Sequence, residues 1–163
     1  MKYPQVVALE YDGWLGKQLR DLARESRWLI HSVRTSSAVK AHLQRGNPTV
    51  VLIQTDLSEE QLRLLALIDD IRRLDPDVSV IVVSDIKLPD AERCAWTTAI
   101  LDLGARYVLF PPLTKPVLED VVSGLLSASI NRIARQAIPN RVLTHKSTQR
   151  NAVIDLADQE TQA

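Results

Sequence analysis

Residues 50–53 are Val-Val-Leu-Ile, an unbroken apolar run that gives way at once to Gln54, Thr55 and Asp56. Consecutive rather than alternating apolar residues mean that neither face of the segment meets water, as in a parallel strand covered by helices on both sides. Pro48 to Asp56 is therefore read as the central strand of a parallel sheet. Ligands of open α/β sheets bind beyond the carboxyl ends of the strands, where strand order reverses. Here that place begins with the amide of Gln54.

The rest of the chain supplies partners for this strand. Val6–Leu9 is a short apolar strand ended by Glu10, Tyr11, Asp12 and Gly13, and Leu15, Leu19 and Leu22 then recur at helical spacing to about Glu25. Trp28 to Val33 is a more mixed strand that belongs near an edge. A helix from about Ser36 to Gln44 follows, turning Val39 and Leu43 inward and stopping at Gly46-Asn47-Pro48.

Ser58 to Gln61 has the form of a capping box, and Leu64, Leu67, Ile68, Ile71 and Leu74 continue that helix. Val78–Val83 is the fourth strand, closed by Ser84 and Asp85. A helix from about Pro89 to Leu103 ends at Gly104, which is placed for a left-handed cap. Tyr107–Phe110 is the fifth strand and Pro111-Pro112 a turn. From Thr114, a natural cap, the last helix buries Leu118, Val121, Val122 and Leu125 and runs to Ile133. Strands alternating with helices imply right-handed crossovers and a parallel sheet.

The expected organisation is one domain over residues 1–133 and a tail over 134–163, where Pro139 breaks the helix and residues 144–150 are polar. Disorder is the favoured reading of the tail, with one short amphipathic turn at Val153, Leu156 and Ala157 as the alternative. Lys+Arg and Asp+Glu both number 20 in the 163 residues, so net charge steers the protein toward neither nucleic acid nor an anionic membrane. The tail arginines Arg135, Arg141 and Arg150 come with too few apolar residues to pack a helix-turn-helix. No apolar run approaches the ~20 residues of a membrane span, and the single cysteine, Cys94, allows no internal disulfide. The expectation is a cytoplasmic protein that binds neither membrane nor nucleic acid directly.

Acids after strand one, the central strand, a hydroxyl closing strand four, then Gly104-Ala105 and a proline after strand five: in this order and spacing the chain resembles the receiver domain of bacterial response regulators over about Tyr3 to Arg132. The resemblance implies a flavodoxin-like, CheY-like α/β fold, with a five-stranded parallel sheet of order 2-1-3-4-5 and helices on both faces. In that family an aspartate ending strand three accepts a phosphoryl group, two acids after strand one help to hold Mg²⁺, and a Ser or Thr and a Lys contact the phosphate. On this chain Glu10 and Tyr11 take the acidic pair, with Asp12 just beyond. Gln54 takes the acceptor position, Ser84 the hydroxyl and Pro111 the lysine.

The departures shape the functional expectation. A neutral amide cannot attack phosphorus as a carboxylate does, which excludes phosphotransfer to Gln54. Pro111 supplies neither a cation nor an N–H to offset charge on phosphoryl oxygens, and Tyr11 removes a hard oxygen ligand that Mg²⁺ would use. The expected protein is a pseudo-receiver without enzymatic activity or cofactor, which acts by contact with another signalling protein or a second copy of itself.

Two alternatives stand beside it. Asp56 is a displaced acceptor in the first, and Mg²⁺ then returns as a cofactor. Two residues of extended chain carry Asp56 roughly 6.6 Å past Gln54, and a capping role near the third helix is favoured. The second is a small-ligand or metal-dependent activity at the same sheet edge, with Glu10, Asp12 and Asp56, joined by Asp85, as weak metal candidates. Solvated, loosely spaced acids are the favoured reading, since no completed metal motif accompanies them. His31, His42 and His145 read as packing or surface residues.

The fourth helix holds a further clue. Trp96, Ala99, Ile100 and Leu103 form one stripe at 100° per residue, while Cys94 and Leu101 lie nearly opposite. The first stripe is expected to face the core, and the second is a candidate interface, with contact to the tail as the alternative.

Overall fold

The computed structural model describes residues 2–57 and 61–137. Among them the chain forms β1 (Gln5–Leu9), α1 (Trp14–Ser26), β2 (Leu29–Val33), α2 (Ser36–Leu43), β3 (Thr49–Thr55), α3 (Gln61–Leu74), β4 (Ser79–Ser84), α4 (Asp90–Asp102), β5 (Tyr107–Leu109) and α5 (Lys115–Ala137). The strands make one sheet of order β2-β1-β3-β4-β5, and every pairing is parallel. The parallel sheet is the one expected from the alternation of elements, and its strand order is the flavodoxin-like one that the resemblance implies.

The pleat sends successive residues of a strand to opposite faces, which explains the unbroken apolar runs. Val51 and Ile53 of β3 join Val7, Val80 and Val82 in a core closed by α2, α3 and α4, through Val39, Leu64, Ile68 and Ile100. Val50 and Leu52 join Val6, Ala8, Ile81 and Val83 in a second core, beneath Leu15 and Leu19 of α1 and Leu118, Val122 and Leu126 of α5. Leu52 is fully buried, so truncating it to alanine removes about 2–5 kcal/mol. β2 lies at the edge and is the more exposed strand for it.

Several boundaries differ from expectation. β5 is only three residues long. α5 continues past Ile133 to Ala137, since nothing from Asn131 onward breaks a helix before Pro139. The expected capping box at Ser58 to Gln61 and the tail beyond 137, with His145, lie outside the described residues. The apolar stripe of α4 is narrower than its periodicity suggests. Ile100 is buried, Trp96 and Leu103 are half-buried, and Ala99 is exposed, because the neighbouring β5 is too short to cover a wider face. Gly104 takes the expected positive φ, 108°. The Pro111–Pro112 peptide, on which the sequence is silent, is cis.

Candidate functional site

The carboxyl ends of β1, β3 and β4 meet at the side chain of Gln54, which is 8% exposed. Its Oε1 accepts from the Tyr11 N–H at 3.2 Å. Its Nε2 donates to Asp12 Oδ2 at 3.2 Å and to Asp85 Oδ1 at 3.1 Å. The amide thus joins the loops after β1 and β4, and its two N–H bonds give two carboxylates the partial positive charge a cation would supply in full. Register alone aligns Gln54 beside Val83; the bridge requires Asp12 and Asp85 to lean inward from their loops.

Glu10 departs from the expectation of a solvated acid. It is 4% exposed, with Oε2 accepting from the Leu15 N–H at 2.7 Å and Oε1 from the Gly16 N–H at 3.1 Å and from the Ser32 hydroxyl. The cause lies in how α1 begins. Its N-cap is Gly13, at φ 77°, which has no side chain to cap the first amides, so Glu10 reaches forward and does so from the preceding loop. A carboxylate at the positive end of a helix is favourable. Gly16 is part of the device, because a Cβ there would stand 3.0 Å from Glu10 Oε1. The signal was present in the sequence as Glu10 ahead of two glycines, but the direction of the side chain was not.

Asp12 is shared between two tasks. Oδ1 accepts from the Trp14 N–H at 2.9 Å, fixing the first turn of α1, while Oδ2 meets Gln54. Partial burial pushes the Asp85 carboxyl above its ordinary pKa. Glu10, Asp12 and Asp85 are therefore not the solvated, loosely spaced acids expected from the sequence, because the α1 amides and the Gln54 side chain hold them in place. Asp56 is exposed on the loop after β3.

Ser84 is buried, but its hydroxyl closes a local turn, donating to the Ile86 carbonyl at 2.9 Å and accepting from the Ile86 N–H at 3.2 Å. Pro111 is half-buried and brings no charge. The nearby Lys115 bonds Asp21 at 3.3 Å and lies 3.7 Å from Glu119. Its ammonium pKa is held up, first of all by the Asp21 bond.

These residues do not fit Mg²⁺. The Gln54 –NH₂ stands between the two aspartates, where a cation would meet donors instead of lone pairs, and Glu10 is committed to α1. Among the described residues no three His, Cys, Asp or Glu side chains are grouped to hold a metal ion. None of the described helices is long and apolar enough to cross a membrane.

His31 and His42 lie away from this edge. His31 of β2 and His42 of α2 pack with ring centroids 4.2 Å apart. Burial, before the nearby Arg45, lowers the pKa of both, and His31 adds to the lowering at His42. On α4, Cys94 is exposed and Leu101 is 40% exposed. Both lie off the core stripe, as their spacing implies.

No family model matches the chain, and no curated protein matches it either. Solved structures do. The signal receiver domain of a LuxO repressor protein from Vibrio parahaemolyticus superposes with a TM-score of 0.62 at 18% identity, over 82% of this chain and 98% of that one. A CheY-like response regulator receiver domain from Methanospirillum hungatei gives 0.59 at 13% identity, over 80% and 99%. The beryllofluoride-activated NtrC4 receiver domain dimer gives 0.60 at 14% identity, over 77% and 98%. At such identities the likeness fixes architecture: the chain has the CheY-like form of the flavodoxin-like fold.

Proposed function

We propose that this protein is a receiver-like signalling module that works by protein contact, with no phosphate chemistry at its sheet edge and no enzymatic activity. The observation that carries the reading is the state of Gln54. Its amide satisfies the Tyr11 N–H, Asp12 and Asp85 at the position that matches the phospho-acceptor, and it has no nucleophilic oxygen to offer. Ser84 and Lys115 are engaged elsewhere. The fold likeness to receiver domains supports signalling as the setting, and we place the module in the cytoplasm with residues 1–133 as its working unit and 134–163 as an appended tail.

The test is incubation with acetyl phosphate and Mg²⁺, followed by intact-mass measurement. The expected outcome is no phosphoryl adduct. An adduct that disappears in Asp56→Asn would make Asp56 a displaced acceptor, restore Mg²⁺ as cofactor and overturn the reading.

The contact surface is proposed on α4, around Leu101 and Cys94, with another signalling protein or a second copy as the partner. Leu101→Glu should weaken self-association or capture by the partner and leave the unfolding midpoint close to that of the parent, because 40% of Leu101 already faces solvent. A loss of stability comparable with Leu52→Ala would instead mean that Leu101 is covered, and would end its role as a contact residue.

A further inference from the structure

β2 closes one side of the sheet, and among the described residues no strand lies beyond it. The Leu29 N–H is bonded to the Pro4 carbonyl, and the Val33 carbonyl accepts from the Glu10 N–H, so these residues and His31 between them turn their backbone groups toward β1. Backbone groups alternate in direction along a strand. The N–H and C=O groups of Ile30 and Ser32 therefore face outward, a short row of donors and acceptors of the kind that takes up another strand.

A groove of about 390 Å³ runs beside this edge, between β2 and α1. Gly16, Ala23 and Ile30 line it with little bulk, and Lys17 and Arg20 of α1 bring the charge. Both cations are exposed, as are Arg27 and Arg34, which bracket β2 in the chain. Among the described residues none of these four is paired with a carboxylate. Asp21 of α1 is bonded instead to Lys115 of α5 at 3.3 Å, and Glu10 is spent on the α1 amides and Ser32. The chain as a whole carries as many acids as cations, so the positive excess at β2 is local.

We propose that the open edge of β2 is a docking site for an acidic segment of a partner protein, which adds to the sheet as a further strand. Only another peptide backbone supplies acceptors for the Ile30 and Ser32 N–H groups and donors for their carbonyls together, whereas a phosphodiester chain offers acceptors alone. Alternate side chains of the added strand, about 6.6 Å apart, fall on the α1 side. Lys17 and Arg20 lie about 4.5 Å apart along the helix, which suits two acids at successive alternate positions. A second copy of the chain is the wrong partner for this edge, because pairing β2 with β2 sets all four cations against their own copies. Main-chain bonds hold the segment and the charges choose it. The surface is separate from the α4 face, which adjoins β5 at the other edge of the sheet.

The experiment is an amide titration of the ¹⁵N-labelled full chain with the octapeptides (Glu-Thr)₄ and (Glu-Val)₄. The controls are (Lys-Thr)₄, an oligothymidylate of matching length, and (Glu-Thr)₄ N-methylated throughout, which keeps the charge and loses the backbone donors. At least one acidic peptide should bind saturably, shift the Lys17, Arg20, Ile30 and Ser32 amides, and slow hydrogen exchange at Ile30 and Ser32 about tenfold or more. Lys17→Gln and Arg20→Gln should each weaken that binding about threefold, the scale of one exposed ion pair. Arg106→Gln, beside β5 at the opposite edge, should leave it unchanged. The assignment is overturned if neither acidic peptide protects Ile30 and Ser32, or if neither α1 charge change weakens the binding. It is equally overturned if the N-methylated peptide, (Lys-Thr)₄ or the oligothymidylate binds as tightly as the best acidic peptide.

Discussion

Glu10 and Asp85 are both carboxylates at the carboxyl edge of one sheet, and they are handled in opposite ways. Glu10 is buried and receives N–H and O–H donors from α1 and Ser32. Asp85 stays at the rim, meets one amide N–H from Gln54, and carries a pKa raised by partial burial. The difference is in the number of donors each carboxylate receives for the water it loses. Where donors are abundant, an acid becomes part of the frame. Where they are few, it stays electrostatically unsettled, and the neutral amide of Gln54 is what allows two such acids to share one site.

The comparison is broken most directly at Glu10. Glu10→Ala strips the first turn of α1 of its acceptor and leaves the Leu15 and Gly16 amides buried without partners, so unfolding in urea should show a loss of about 2–4 kcal/mol. Gly16→Ala should fall in the same direction, because its Cβ would stand 3.0 Å from Glu10 Oε1 and the carboxylate that must shift to make room is held by the α1 amides and Ser32. If Glu10→Ala costs less than about 0.5 kcal/mol, water caps α1 as well as the carboxylate does, and Glu10 is no different in kind from the rim acids.

Gln54→Glu tests the other side. The replacement is isosteric, but it exchanges two N–H donors for a third negative oxygen facing Asp12 and Asp85. The expected cost is about 1–2 kcal/mol at neutral pH and low salt, diminishing as the pH is lowered toward 4 and the carboxyls protonate. Mn²⁺ or Mg²⁺ at ten to a hundred times its dissociation constant should restore about 1–3 kcal/mol. Trp14 reports the event in its fluorescence, since its N–H is bonded to Asp12. Unchanged stability at neutral pH would show that the three side chains are free to swing apart.

Much of this was readable before any coordinates. The run Val50–Ile53 is buried on both faces because β3 lies between β1 and β4, and consecutive apolar residues encode that directly. Spacing alone placed Gln54 at the carboxyl end of β3 and put Leu101 off the core stripe of α4. The fate of Glu10 and Ser84 was not readable. Each turns on one rotamer choice between an open edge and a nearby backbone donor or acceptor, and an amino-acid string records the residue and not its direction. The width of the α4 stripe failed on a tertiary fact, the brevity of β5.

The smallest expected effect is the most sensitive to the contrast between the two acids. A carboxyl whose pKa is raised by folding binds its proton more tightly in the folded state than in the unfolded chain, so Asp85 favours folding below about pH 4, its ordinary value, and this contribution is lost as pH rises through the raised folded value. At neutral pH the ionised Asp85 is therefore a net cost, moderated by the Gln54 N–H that favours the charged form. Asp85→Asn removes the charge and keeps Oδ1 as the acceptor for Gln54. Because Asp85 is largely in contact with solvent, screening limits the gain to about a few tenths of a kcal/mol at pH 7, and the gain should vanish near pH 3. The paired measurement is urea unfolding of parent and variant at both pH values. A variant less stable than the parent at pH 7 would mean that the Gln54 bond to the ionised acid outweighs its desolvation, and Asp85 would then belong with Glu10 among the acids that hold the fold together.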